Sequence, residues 1–72
     1  MNEEHTIHVR LNGKDREIDS GLSIKELVKS LDLNPRLIVV ELNREIISQD
    51  SLSETLVLDG DHLELVHFVG GG

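Results

Sequence analysis

The sequence predicts an α+β domain, a mixed sheet of four to five strands with one helix packed on one face. Three observations carry this. Two short alternating segments flank Asn12-Gly13, which marks a hairpin. One amphipathic helical stretch follows a capping signal at Ser23. Two further apolar stretches, residues 36–42 and 62–68, have strand length and are separated by turns and one short strand.

In the first segment Ile7, Val9 and Leu11 alternate with His8 and Arg10, the period of a half-buried strand. Asn12-Gly13 suits a two-residue turn in which both central residues need positive φ. Glu17-Ile18-Asp19 is the expected return strand. In the helix, Ser23 and Glu26 have capping-box spacing, and Leu22 and Leu27 are placed for a hydrophobic staple. Ile24, Leu27, Val28 and Leu31 form one apolar stripe, while Lys25, Glu26, Lys29 and Ser30 face water. So short a helix needs a sheet to lie on. Asn34-Pro35 closes the segment, because proline disfavours α geometry in the residue before it.

Residues 36–42 are apolar on both faces, which places this strand inside the sheet. Asn43-Arg44-Glu45 is a turn and Ile46-Ile47 a short strand. Residues 50–54 read as a polar loop with one helical turn, and Leu56 and Leu58 are expected to be core contacts beneath it. Asp59-Gly60-Asp61 turns the chain into the last strand. The order is strand, strand, helix, strand, short strand, strand. The helix and loop supply the long crossover that parallel pairing of the first and last strands requires. This arrangement is the β-grasp.

A chain of 72 residues makes one domain with a thin core. Its 7 basic residues against 14 acidic ones give a net charge of −7, which argues against nucleic acid and for a basic protein surface as partner. Without a cysteine the chain has no disulfide, no thiol nucleophile and no persulfide of its own. No apolar run approaches the roughly 20 residues of a membrane span and no signal peptide is visible, so no membrane association and a cytoplasmic location are expected. The free domain is expected to be a monomer.

The chain offers little chemistry of its own. His5 and His8 differ by three positions and His62 and His67 by five, so each pair splits across the faces of a strand. Solvated or half-buried histidines are the better reading than metal ligands. Asp59 and Asp61 flank a glycine without calcium-loop spacing and read as a turn. No serine sits on a nucleophile turn. The expectation is no catalytic residue, no metal site and no bound cofactor.

What remains is Val69-Gly70-Gly71-Gly72. A glycine run at the end of the sequence is either a frayed terminus or a substrate whose Gly72 carboxylate travels on a thin thread. Four extended residues reach about 13 Å, enough to cross the wall of an enzyme's active site. The division is a β-grasp domain over residues 1–68 and a flexible glycine tail over residues 69–72. If Leu63 and Leu65 face the helix, Val66 and Phe68 share the other face with His62 and Glu64. Either Ile38, Val40 and Leu42 or Leu37 and Val39 then join them on that uncovered face. Val66, Phe68 and Val69 are the expected docking residues beside the tail.

The Asp59-Gly60-Asp61 turn, the apolar last strand and the ending His67-Phe68-Val69-Gly70-Gly71-Gly72 resemble the ubiquitin-like sulfur carriers, most closely the ThiS family of thiamine biosynthesis. The stretch from Glu41 through Asn43-Arg44 to Ile47 is similar to the family's strand-turn-strand. The resemblance spans nearly the whole chain and is specific in its last fourteen residues. Met1 to Glu4 extend beyond the family's usual start, and three glycines stand where many relatives have two.

The resemblance implies that the Gly72 carboxylate is adenylated by a ThiF-like activating enzyme that uses ATP and Mg²⁺. A thiocarboxylate then forms with sulfur from a cysteine desulfurase or another donor system, and a ThiG-like thiazole synthase receives that sulfur. Gly70 and Gly71 thread the tail into both active sites. The same features are compatible with a carrier for molybdopterin or tRNA thiolation, or with a ubiquitin-like protein modifier.

Overall fold

The computed structural model describes residues 5–68. The chain forms β1 (Thr6–Leu11), β2 (Lys14–Asp19), α1 (Ile24–Ser30), a 3-10 turn (Pro35–Leu37), β3 (Ile38–Leu42), β4 (Glu45–Ile47), a second 3-10 turn (Gln49–Ser51) and β5 (His62–His67). The strands make one five-stranded sheet in the order β2-β1-β5-β3-β4. β1 and β5 run parallel and the other neighbours antiparallel. This is the expected β-grasp.

The Asn12-Gly13 turn has φ of 50° and 81°, as its dipeptide demands, and aligns all of β1 with β2 from Leu11↔Lys14 to Thr6↔Asp19. The return strand thus starts three residues before the expected Glu17, because hairpin pairing continues outward from a two-residue turn whatever the polarity of the side chains. α1 begins with the full capping box: the Ser23 hydroxyl accepts from Glu26 N at 3.1 Å and the Glu26 carboxylate from Ser23 N at 2.8 Å. β3 starts at Ile38 rather than Arg36, because Asn34 accepts from Arg36 N at 2.9 Å and caps a 3-10 turn that Pro35 opens.

α1 lies on one face of the sheet. Ile24, Leu27 and Val28 meet Val9, Leu11, Ile38, Val40 and Leu63 in the core. Burying each such side chain contributes roughly 1.5–3 kcal/mol. Leu22 and Leu31 pack partly buried against this cluster, as the staple and the stripe require, and Leu65 joins them from β5.

The expectation that Leu56 and Leu58 lie in the core is wrong. They are 54% and 61% exposed, and Val57 and Leu52 occupy the core instead. Leu56 bridges Ser23 and Val57 N donates to Leu22 O at 2.9 Å, so this segment runs extended alongside the start of α1. Successive side chains of an extended segment point to opposite sides. With Val57 inward, its two leucine neighbours face out.

Candidate functional site

The last strand occupies the middle of the sheet, held between β1 and β3. Its start is anchored by the Asp59-Gly60-Asp61 turn. The Asp59 carboxylate accepts from His8 N, and Asp61 accepts from Leu58 N, both at 2.8 Å. Gly60, at φ 88°, donates its N–H to His8 O at 2.7 Å. Two asparagines hold the flanks. Asn12 accepts from Leu65 N at 2.7 Å through its side-chain oxygen. It thereby continues the attachment of β5 past the last β1–β5 pair, Leu11↔Leu63. Asn43 accepts from His62 N at 2.9 Å and donates to Asp61 at 3.0 Å. Both asparagines have positive φ, 50° and 51°, which this residue type tolerates better than most. The last strand is therefore a fixed platform.

Alternation then decides the two faces of β5. Leu63 is buried and Leu65 half-buried toward α1. Val66 and Phe68, each 57% exposed, lie on the open face as expected. Val39 stands directly opposite Val66, and Phe68 N donates to Leu37 O at 2.8 Å. Of the two alternatives for β3, Leu37 and Val39 face outward, while Ile38 and Val40 are core. The other expected site residues, Val69, Gly70, Gly71 and Gly72, lie outside the described residues.

The open face also carries Glu41, Arg44 and Ile46, which alternation along the last strand alone does not place there. A groove of about 470 Å³ crosses the open face. Val39, Ile46 and Val66 give it aliphatic walls, Glu41 and Glu64 line it between them, and Arg44 and His62 stand at one end. Ile46 is 69% exposed because alternation along β4 turns Ile47 toward the core. The Ile46-Ile47 pair carried that signal, since in a strand one of the two must face out. No sequence pattern pairs Glu41 with Glu64: only the strand register sets them opposite each other. His67 faces the core side, and its Nε2 is buried with no hydrogen-bond partner.

A helix-backed mixed sheet, parallel first and last strands and a central last strand followed in the sequence by Val69-Gly70-Gly71-Gly72 define the ubiquitin-like β-grasp carriers as a class. Comparison with known proteins narrows this. Residues 9–72 match the ThiS family. The sulfur carrier protein ThiS of Bacillus subtilis is 42% identical over 66 residues, covering 89% of this chain and 98% of that protein. A thiazole synthase of Paramagnetospirillum magneticum is 37% identical over 62 residues, which is 86% of this chain but only 19% of the synthase. The crystal structure of a ThiS thiamine biosynthesis protein from Geobacter metallireducens superposes with a TM-score of 0.77 at 33% identity, covering 92% of this chain and all of that one. The chain belongs to the ThiS family, the ubiquitin-like sulfur carriers of thiamine biosynthesis.

Proposed function

We propose that this chain carries sulfur for thiazole formation as a thiocarboxylate on Gly72. The observation that supports this most is the family match, which runs from β1 through Gly72 and so includes the glycine tail together with the fold that presents it.

A carboxylate is a poor electrophile. In the proposed cycle an activating enzyme joins the Gly72 carboxylate to the α-phosphorus of ATP, with Mg²⁺, and releases pyrophosphate. The terminal sulfur of a donor persulfide attacks the acyl-adenylate carbonyl, and AMP leaves. A thiol then cleaves the resulting S–S bond, which leaves the thiocarboxylate on Gly72 and a disulfide on the donor side. The thiocarboxylate passes its sulfur to a thiazole synthase. The chain's own contribution is presentation: Gly70 and Gly71 lack a Cβ, which keeps the thread narrow. Val66 and Phe68 offer exposed apolar contact surface a few residues before it in the sequence, and Val69 is proposed as a further docking contact. The absence of cysteine fits a carrier that holds sulfur on its terminus.

Intact-mass spectrometry tests the proposal. Incubation with activating enzyme, ATP and a persulfide donor should replace one oxygen by sulfur on the C-terminal peptide. An unchanged mass while pyrophosphate is released under the same conditions would sink it. Gly71→Ala should lower the rate of this conversion at least tenfold and leave the unfolding midpoint where it is. Equal conversion by the variant means that the tail is not threaded through a narrow channel.

A further inference from the structure

Glu41 and Glu64 form a directly opposed pair on β3 and β5. Side chains so placed have Cβ atoms about 4.5–5.5 Å apart, and like charges at this spacing repel. Among the described residues neither carboxylate has an ion-pair partner; the ion pair present joins Arg10 to Asp15 at 3.9 Å. Arg44 borders the same groove without bridging either glutamate. The pair is also framed by aliphatic side chains. Val39 and Val66 are the next register pair along the same two strands, and Ile46 stands opposite Glu41 on β4. An isolated domain gains nothing from two unneutralised carboxylates set between exposed apolar walls. A partner that supplies a cation with an apolar stem satisfies both features at once.

We infer that this groove docks a thiazole synthase through an arginine side chain, whose guanidinium lies between Glu41 and Glu64 while its methylenes pack on Val39, Val66 and Ile46. This rests on the carrier reading above and deepens it by assigning a second, upstream contact in addition to the tail. Arginine fits better than lysine because its planar fork donates to two carboxylates at once and its stem covers apolar surface. A synthase is the favoured occupant because the thiazole synthase of Paramagnetospirillum magneticum contains a segment that matches 86% of this chain within a much longer polypeptide. In that protein the carrier-like segment and the remainder of the synthase share one chain. The net charge of −7 favours a basic surface on the partner.

Affinity of the full chain for the thiazole synthase of the same organism, measured by titration calorimetry at two salt concentrations, decides the matter. Wild type should bind more weakly at higher salt. The double variant Glu41→Gln, Glu64→Gln should bind at least tenfold more weakly at low salt and lose most of the salt dependence. The free double variant should melt no lower than wild type, because the substitution removes repulsion and no native hydrogen bond. A merely structural role for the pair would instead lower its melting temperature. Unchanged affinity in the double variant, or no binding by wild type, overturns the proposal. The carrier reading has its own readout, the sulfur-for-oxygen mass change with activating enzyme, which the double variant should still show. Reduced binding to the activating enzyme with unchanged binding to the synthase would assign the groove to the other partner and overturn the proposal as well.

Discussion

The two faces of the sheet are built from the same strands and follow opposite rules. On the covered face Val9, Leu11, Ile38, Val40 and Leu63 are almost wholly buried against α1. On the open face Val39 and Val66 sit beside Glu41 and Glu64, and Phe68 and Ile46 stay more than half exposed. A small domain has few apolar residues to place outside its core. Leaving its single aromatic and several aliphatic residues in water, next to carboxylates without an ion-pair partner among the described residues, fits the proposal that another surface covers them. Alternation along each strand separates the residues that stabilise the domain from those proposed to recognise a partner, so each set can be altered while the other is spared.

The largest effect should come from the covered face. Leu27→Ala removes a side chain that is 1% exposed, and we expect a loss of about 2–5 kcal/mol in urea unfolding. A loss under ~1 kcal/mol means that the core under α1 relaxes far more than its burial indicates. The platform comes next. Asn43→Ala places a Cβ residue without a compensating side chain at φ 51° and deletes both side-chain bonds to Asp61 and His62. This should cost about 1–3 kcal/mol of stability. Hydrogen exchange should then show faster opening at His62 and its neighbours.

The open face should respond in the reverse sense. Phe68→Ala should change stability by no more than about 0.5 kcal/mol, as surface substitutions usually do. It should weaken partner binding by about 1.4 kcal/mol or more, a factor of ten in Kd. A variant that unfolds more easily and binds normally would reverse the assignment of the faces. The smallest effect concerns the boundary. His67→Leu removes a buried nitrogen with no hydrogen-bond partner, and stability should stay level or rise by up to about 1 kcal/mol. A clear loss in thermal melting would show that Nε2 has a partner in solution.

Most of the elements were legible because each has a local cause. Asn12-Gly13 needs positive φ, Ser23 and Glu26 satisfy each other's backbone N–H groups, and alternation assigns Val66 and Phe68 to one face. The misplacement of Leu56 and Leu58 has the opposite origin. Their hydrophobicity pointed inward, but an extended run of three consecutive apolar residues buries either its centre or its ends. The bridge from Leu56 to Ser23 decided for the centre, Val57. Ile46 was half legible: its strand was expected, and its outward orientation depends on which face α1 covers.

By itself the sequence determined the β-grasp order, the capped helix, the turn chemistry and the character of the glycine ending, because these depend on contacts within a few residues or on composition. Only the tertiary structure decided which side of β3 faces water, that Asn12 and Asn43 hold the central strand from both flanks, and that Glu41 meets Glu64. Those pairings join residues 19 to 53 positions apart. Strand register sets them, and register is fixed by the packing of a whole face against α1 rather than by any local pattern.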